Sequence, residues 1–274
     1  MDIADLHIHT TASDGLLTPT EVVNWAIIKK VRAIGITDHD NVKGINEAIS
    51  ASAHLDIEVI PGIELNCQYL DEEIHILGYF IDYKSKELEE KLEFIRECRH
   101  RRMIKIISKL NSMGIRVDFE SLKINNDDIS IGRPHIARVL VQKGYASNMK
   151  SAFDKYLGKN RSAYVERYKL SVGEAMELIE SIGGVSVLAH PGLIAKKKYI
   201  DEILDLGMKG IEVYHTKHDV NTTSELLKLA IERKLLITGG SDCHGMFIKN
   251  EPILGNVFVD YLLVQQMKKT LKII

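Results

Sequence analysis

Short apolar segments alternate with amphipathic segments along most of the chain, and this alternation constrains the fold more than any other feature. The segments predicted as β-strands are Ile3–His9, Ala33–Thr37, Ile57–Pro61, Ile74–Phe80, Val185–Ala189, Gly210–Tyr214 and Leu235–Thr238. Most are followed by a helix-like segment, a repetition typical of parallel strands in an α/β fold. Seven such strands fit a barrel better than a small open sheet.

Two helix starts carry a capping box, in which a hydroxyl residue precedes a glutamate by three positions. Thr18 precedes Pro19 and Glu21, and Ser171 precedes Glu174. The hydroxyl oxygen and the carboxylate can then each accept a backbone N–H at the start of the helix. These boxes predict one helix after Thr18 and another after Ser171.

The middle of the chain has a different pattern, because strand signals are weak from about Lys84 to Gly158. Helices are predicted over Glu87–Met113, His135–Lys143 and Asn148–Leu157. The sequence therefore predicts a barrel domain of residues 1–83 and 166–274. A helical insertion domain, residues 84–165, is predicted between the fourth and fifth barrel strands.

Composition narrows the class of protein. The 274 residues are 45% hydrophobic and carry a formal charge of -2, so no basic field favours extended duplex nucleic acid. The N-terminus lacks the order of a signal peptide, and no apolar stretch approaches the ~20 residues of a membrane span. Cys67, Cys98 and Cys243 are scattered and suggest no disulfide framework. We expect a cytoplasmic enzyme without a membrane segment.

Polar motifs stand where most of the predicted strands end. His7 and His9 share one face of the first strand, since alternate strand residues point the same way. The later motifs are Thr37-Asp38-His39-Asp40, Pro61-Gly62-Ile63-Glu64, Ala189-His190-Pro191-Gly192, Tyr214-His215 and Ser241-Asp242-Cys243-His244, with His75 inside the fourth strand. Active sites of α/β barrels lie at the carboxyl ends of the strands. Histidine and carboxylate side chains in such positions predict a site for transition metals.

For other polar residues, the sequence gives weaker support for a place in the predicted metal site. His54, His100 and His218 lack such neighbours in the sequence and are expected at the surface. Asp5 shares the face of His7 and His9, so we expect it to orient an imidazole as a hydrogen-bond acceptor.

The motifs Asp5-Leu-His-Ile-His-Thr10, Thr37-Asp-His-Asp40, Gly62-Ile-Glu64, Ala189-His-Pro191 and Gly240-Ser-Asp-Cys-His244 together resemble the signature of the PHP (polymerase and histidinol phosphatase) family. The resemblance covers nearly the whole chain and implies a distorted (β/α)7 barrel with a trinuclear metal centre. An insert with Gly132-Arg133-Pro134-His135 is similar to that of nucleotide 3',5'-bisphosphate phosphatases and 5'-to-3' exoribonucleases.

The resemblance also implies a ligand set for two to three divalent ions of manganese, iron or zinc. One ion would be held by His7, His9, Glu64 and Asp242. Glu64 would bridge to a second ion, held also by His75 and His190. Asp14, His39 and His244 would hold a third. The residues expected to act in catalysis are Glu64, His215, Asp242 and His244, with His215 as a candidate acid for the leaving group.

Phosphate recognition is expected in the insert. Arg133 stands just before a predicted helix, where a guanidinium and free backbone N–H groups suit a phosphate. The alternative is that Arg133 makes a surface ion pair. His135 belongs to the same motif, and Lys159 and Arg161 could add charge or be solvated loop residues. Lys217 could face the site beside His215.

These observations predict a metal-dependent phosphoesterase acting on a small phosphorylated molecule, most simply a nucleoside 3',5'-bisphosphate or the end of a short oligonucleotide. Three alternatives remain: a histidinol-phosphate-type phosphatase, an amidohydrolase acting on a C–N bond, and a non-catalytic metal-binding module. The sequence leaves the oligomeric state open.

Overall fold

The computed structural model describes residues 2–122 and 132–273, and the chain divides into two compact units. The barrel unit comprises Met1–Glu89 and Lys169–Ile274, and the helical unit comprises Glu90–Tyr168. In the described ranges, no helix combines the length and apolar character needed to cross a membrane.

Strands and helices alternate through most of the barrel unit. The strands are β1 (Ile3–Ile8), β2 (Ala33–Ile36), β3 (Glu58–Tyr69), β4 (Glu72–Tyr79), β5 (Leu170–Ser171), β6 (Val185–Leu188), β7 (Gly210–His215), β8 (Leu236–Gly240), β9 (Phe247–Ile248), β10 (Glu251–Pro252) and β11 (Val259–Asp260). The helices of the chain are α1 (Pro19–Ile28), α2 (Lys43–Ser52), α3 (Lys86–Ser112), α4 (Arg133–Gln142), α5 (Met149–Ala152), α6 (Val172–Ser181), α7 (Lys198–Leu204), α8 (Val220–Glu232) and α9 (Tyr261–Thr270).

The main sheet closes on itself. Its strand order is β11-β1-β2-β3-β4-β6-β7-β8, with β5 beside β3. Just beyond β8, the Cys243 carbonyl accepts the backbone N–H of His9 at 2.9 Å, and Ile8 and Cys243 form a parallel bridge. All the predicted strands are present, and the prediction of an α/β barrel is confirmed.

Two expectations about the third and fourth strands are wrong. β4 runs antiparallel to both β3 and β6, although parallel strands were expected. The short turn at Leu70 joins β3 directly to β4, and a parallel pair would have needed a crossover of a dozen or more residues. β3 also does not end at Glu64 but continues to Tyr69, because Glu64 and the residues after it pair with β4.

Both predicted capping boxes are confirmed. The Thr18 hydroxyl accepts the Glu21 N–H at 3.2 Å, and the Glu21 carboxylate accepts the Thr18 N–H at 2.8 Å. Ser171 and Glu174 repeat this exchange at 3.2 and 2.8 Å. Each box satisfies backbone donors that the first turn of a helix leaves without partners.

The helical unit has its own apolar core, and the three helices predicted there are confirmed within a few residues. α3 and α4 contribute Ile106, Leu110, Ile136 and Leu140, all fully buried. A π-helical turn, Phe153–Leu157, continues α5.

Candidate metal centre

A single buried carboxylate lies at the centre of the polar cluster. Glu64 is 1% exposed and sits in the middle of β3. Five imidazole nitrogens surround it: Oε2 lies 3.3 Å from His7 Nε2, 3.2 Å from His9 Nε2 and 3.0 Å from His39 Nδ1, and Oε1 lies 2.7 Å from His75 Nδ1 and 3.0 Å from His190 Nε2. A carboxylate with ligand nitrogens around both oxygens can bridge two metal ions.

The reversed direction of β4 explains how His75 reaches this cluster. His75 lies near the start of β4, paired with Asn66 of β3. Because β4 is antiparallel to its neighbours, its first residues lie at the end of the barrel where the parallel strands finish. A histidine near the beginning of this strand therefore joins side chains from the ends of the others.

Asp242 is the second carboxylate of the cluster. Its Oδ1 lies 3.2 Å from His9 Nε2 and 3.5 Å from His7 Nε2, and its Oδ2 lies 3.3 Å from His215 Nε2. The third carboxylate, Asp14, is more exposed. Its oxygens lie 3.4 Å from His244 Nε2, 3.8 Å from His9 Nδ1 and 4.0 Å from His39 Nε2.

The ligand atoms fall into four overlapping groups, each with all its atoms within 4.8 Å of one another. The groups are His9 with Asp14, His39 and His244; His7 with His215 and Asp242; His7 with Glu64 and His190; and His39 with Glu64 and His75. Every residue of the ligand set implied by the resemblance is present in them. The division differs, since His9 lies with the Asp14 group and His215 joins Asp242 and His7.

The donor atoms fit divalent metal ions. His7 Nε2, both ring nitrogens of His9, and Glu64 Oε2 are buried without a hydrogen-bond partner among the described residues. Leaving such an atom unsatisfied costs about 1–3 kcal/mol, more for a charged group. Mixed imidazole and carboxylate donors suit manganese, iron or zinc, and a bound ion would satisfy these atoms.

The charges of the cluster are strongly coupled. Burial alone favours neutral imidazoles, but the nearby carboxylates of Asp242 and Glu64 raise the pKa of His9 to about 9. For His75, burial is likewise outweighed by Glu64, and the pKa rises to about 10. Despite its own burial, the pKa of Glu64 is held well below the usual value by His39, His7 and His75. Protons on the rings therefore compensate the carboxylate charge when no metal is bound.

The backbone around the centre is strained at two of the predicted ligands. His190 and Asp242 have φ angles of 29° and 52°, which side-chain-bearing residues seldom adopt. Gly240 allows β8 to approach β1 closely, since a Cβ at position 240 would lie 2.4 Å from the backbone nitrogen of His7. Alanine at this position would displace a predicted ligand.

Glu212 of β7 is a functional candidate that the sequence analysis missed. It is fully buried, and its Oε1 lies 3.0 Å from His7 Nδ1 while its Oε2 accepts the backbone N–H of His190 at 2.7 Å. This contact fixes the His7 ring with Nε2 toward Glu64. The sequence did contain a signal for Glu212, because a charged residue within the apolar strand Gly210–His215 indicates a buried polar role.

Asp5 does not orient an imidazole, contrary to expectation. Its carboxylate accepts the backbone N–H groups of Ser241 and Gly255, at 2.9 and 2.7 Å, and the Ser241 hydroxyl at 2.6 Å. Burial raises the pKa of Asp5 to about 6, against the effect of these hydrogen bonds. Asp5 thus anchors the segments that carry Asp242, and Glu212 takes the position beside the imidazole.

His54 and His100 are exposed, as expected, whereas His218 is less exposed than expected. His218 is half-buried, with Nδ1 2.9 Å from the Val213 carbonyl, and its Nε2 accepts the Gly192 N–H at 3.1 Å. It therefore ties the turn after His190 to β7.

The expected substrate-binding residues all belong to the helical unit. Arg133 Nη1 donates to the Leu157 carbonyl at 3.1 Å, and its guanidinium carbon lies 5.6 Å from the Phe153 ring and 6.0 Å from that of Tyr164. Among the described residues, no carboxylate forms the ion pair considered as the alternative for Arg133.

The remaining members of that set have separate positions. His135 caps α4, its Nδ1 accepting the Gly132 N–H at 3.2 Å. Lys159 and Arg161 are exposed in the loop after the π-helical turn. In the barrel unit, the Lys217 side chain is also exposed, and its backbone N–H donates to His215 Nδ1 at 3.1 Å.

Comparison with known proteins agrees with this geometry. A 5'-3' exoribonuclease of Haemophilus influenzae is 34% identical over 88% of this chain and 89% of its own. A 3',5'-nucleoside bisphosphate phosphatase of Chromobacterium violaceum is 34% identical over 88% and 86%. The crystal structure of a protein classed as a metal-dependent phosphoesterase, from Bifidobacterium adolescentis, superposes with a TM-score of 0.81 at 28% identity, covering 97% of this chain and 95% of that one.

The PHP domain itself matches residues 5–206, which include the predicted ligands from His7 to His190. The barrel, the clustered ligand atoms and these relatives agree. This chain belongs to the PHP family of metal-dependent phosphoesterases.

Proposed function

We propose that the protein hydrolyses a phosphate ester of a small nucleotide, either a nucleoside 3',5'-bisphosphate or the 5' end of a short RNA. The observation that carries this proposal is the cluster of overlapping ligand groups around buried Glu64, with unsatisfied nitrogens aimed at it. The relatives named as a bisphosphate phosphatase and an exoribonuclease support the substrate class.

The proposed ligands are the residues of the four groups other than His215. Glu64 would be shared between two ions, and the Asp14 group would hold a third. The chemistry that manganese, iron or zinc would supply there is activation of water near neutral pH and stabilisation of negative charge on phosphoryl oxygens. Overlapping groups that share His7, His39 and Glu64 favour two to three ions held close together.

Protein groups supply the remaining chemistry. His215 Nδ1 accepts a backbone N–H, so a neutral ring carries its proton on Nε2, beside Asp242. We assign this proton to the leaving oxygen. Glu212 keeps His7 oriented. Asp242 and His244 act as members of their ligand groups. Arg133, His135, Lys159 and Arg161 of the helical unit are assigned to the substrate's phosphates.

A screen for released phosphate and for released mononucleotides tests the proposal. The substrates are nucleoside 5'-, 3'- and 3',5'-phosphates, short 5'-phosphorylated RNA and histidinol phosphate, each with Mn²⁺ and with EDTA. Metal-dependent release of phosphate from the bisphosphate, or of nucleoside 5'-monophosphates from the RNA, is expected. Preference for histidinol phosphate would favour a histidinol-phosphate-type phosphatase. Cleavage of an amide in a parallel assay, with none of the phosphate esters cleaved, would favour an amidohydrolase. No turnover of any substrate by metal-loaded protein would favour a non-catalytic module.

Arg133 provides a second test. Its guanidinium can hold a phosphate through two hydrogen bonds, and charged hydrogen bonds contribute about 1.5–3 kcal/mol. Arg133→Ala should lower kcat/KM for the bisphosphate by about one to two orders of magnitude and leave metal content unchanged. If Arg133→Ala has only a small effect on a monophosphate that carries just the cleaved phosphate, Arg133 binds the phosphate of the bisphosphate that is not cleaved. Unchanged kinetics for both substrates would contradict a role in recognition.

A further inference from the structure

The helical unit contains a pocket of about 380 Å³ with cationic and aromatic walls. The lining residues used below are Phe94, Arg101, Arg102, Lys105, Glu166 and Tyr168. All of them belong to the helical unit, and none is a proposed metal ligand or one of the residues assigned above to substrate. The volume lies within the range of about 300–1,000 Å³ that small-molecule sites occupy.

Arg102 is an unusual residue for such a wall. It is 8% exposed, and its Nε donates to the Val165 carbonyl at 2.8 Å. Within the described residues, no carboxylate pairs with its guanidinium, whereas the neighbouring Arg101 pairs with Glu97 at 3.1 Å. A largely buried cation without a counterion is costly to the fold, so the remaining donors of Arg102 favour an anion.

Other cations strengthen this preference. Burial, together with the charges of Arg133, Arg167 and Arg99, lowers the pKa of Arg102 to about 10, which leaves it charged at neutral pH. Lys105 adds a further, exposed cation to the wall. The carboxylate of Glu166 is exposed to solvent and does not pair with Arg102. Among the wall residues, Arg101, Arg102 and Lys105 are cationic and Glu166 is the carboxylate, so the wall residues carry a net positive charge.

An aromatic pair forms another part of the wall. The rings of Phe94 and Tyr168 meet edge to face, with centroids 5.0 Å apart and planes at 90°. Tyr168 is held by Lys91, whose ammonium donates to the phenol oxygen at 3.3 Å. Phe94 remains 42% exposed, although an aromatic ring is usually buried. An exposed ring beside a cation suits a nucleobase attached to a phosphate.

We propose that this pocket binds a nucleotide through residues of the helical unit alone. Arg102 and Lys105 hold its phosphate, and Phe94 stacks against its base. The choice of a nucleotide, rather than another phosphorylated ring, rests on the proposed function. The nucleotide is either free or part of an RNA chain.

Isothermal titration calorimetry on the full-length, metal-loaded protein tests this site. The probes are adenosine 5'-monophosphate, a 5'-phosphorylated RNA pentanucleotide with hydrolysis-resistant phosphorothioate linkages, inorganic phosphate and adenosine. Arg102→Gln should weaken binding of the monophosphate by about tenfold or more, as expected for a charged hydrogen bond. Lys105→Gln should weaken it by about threefold, and Phe94→Leu should weaken nucleotide binding but not phosphate binding.

The matched control is Lys150→Gln, which removes an exposed lysine of the same unit outside the pocket and should change nothing. Metal content should stay constant in every variant. A stronger dependence on Arg102 for the pentanucleotide would identify an RNA site, and a stronger dependence for the monophosphate would identify a site for the free nucleotide. Unchanged affinity in both Arg102→Gln and Lys105→Gln would overturn the proposal.

Lys105 is exposed, so its variant remains informative if Arg102→Gln does not fold. The readout is binding, so it does not depend on turnover. If the protein hydrolyses no nucleotide but Arg102 and Lys105 still determine nucleotide affinity, the proposed function fails and the pocket assignment stands. If turnover is observed but these variants bind normally, the pocket assignment alone fails.

Discussion

At the scale of single residues, Glu64 has the strongest predicted effect. Both of its oxygens face imidazole nitrogens, and we propose that it is shared between ions. Glu64→Gln removes a negative charge from two sites at once, whereas His75→Ala removes one terminal ligand. The glutamine variant should lose at least about tenfold more activity. Kinetics and metal analysis of both variants check this, and equal, mild losses would contradict a bridge.

Glu212 should act on metal affinity through His7. Loss of a partner that orients a ligand typically costs about 10- to 100-fold in metal affinity or activity. Glu212→Gln should weaken Mn²⁺ binding by about that factor, measured by competition with a chelator. Glu177→Gln, an exposed change on α6, serves as the matched control. Wild-type affinity in Glu212→Gln would assign this carboxylate to packing only.

Metal binding should release protons and strengthen with pH. In the metal-free protein the pKa of His9 is about 9 and that of His75 about 10, so both rings are protonated at pH 7. An ion must displace those protons, and affinity should therefore rise from pH 7 toward pH 9–10. Calorimetry in buffers of different ionisation enthalpy measures the released protons. Affinity that is independent of pH over this range would contradict protonated ligands.

The raised pKa values of His9 and His75 also make the stability of the metal-free protein fall as the pH rises. A histidine whose pKa is higher in the folded state stabilises that state below its unfolded pKa of about 6.5, and the contribution disappears as pH rises through the folded value. Unfolding of the metal-free protein should therefore become easier between about pH 7 and pH 10. Denaturant titrations across that window provide the measurement.

At the scale of elements, the capping boxes are local stabilisers that sequence predicts well. Ser171→Ala removes the hydroxyl that accepts the Glu174 N–H at the start of α6. The expected loss is about 0.5–2 kcal/mol in the free energy of unfolding. Thermal or urea unfolding measures it, with Ser147→Ala, at an exposed position without a cap, as the control. No loss would mean that α6 is stabilised by packing alone.

Strand direction shows where prediction from local pattern fails. The segment Ile74–Phe80 was correctly predicted as a strand, because β-branched and aromatic residues favour extended structure. Its direction was predicted wrongly, since the apolar pattern of a largely buried strand does not show whether it runs parallel or antiparallel to its neighbours. The hairpin at Leu70 decided the direction, and with it the position of His75.

At the scale of the whole molecule, the sequence determined the element order, the helix caps and the chemical types of the ligands. These depend on residues within a few positions of one another, or on motifs such as His7-Ile-His9 that resemble a family. A barrel was expected to bring the predicted ligands, from His7 to His244, together at the carboxyl ends of its strands. The structure places them in overlapping groups.

Tertiary structure alone decided which groups share an environment. Glu212 reaches His7 across 205 positions of sequence, and Asp5 reaches Gly255 across 250. His218 is half-buried by contact with the turn at Gly192, and the charges of Arg133 and Arg167, both distant in sequence, lower the pKa of Arg102. Burial and charge at these residues arise only when distant segments pack together, and no local sequence pattern contains that information.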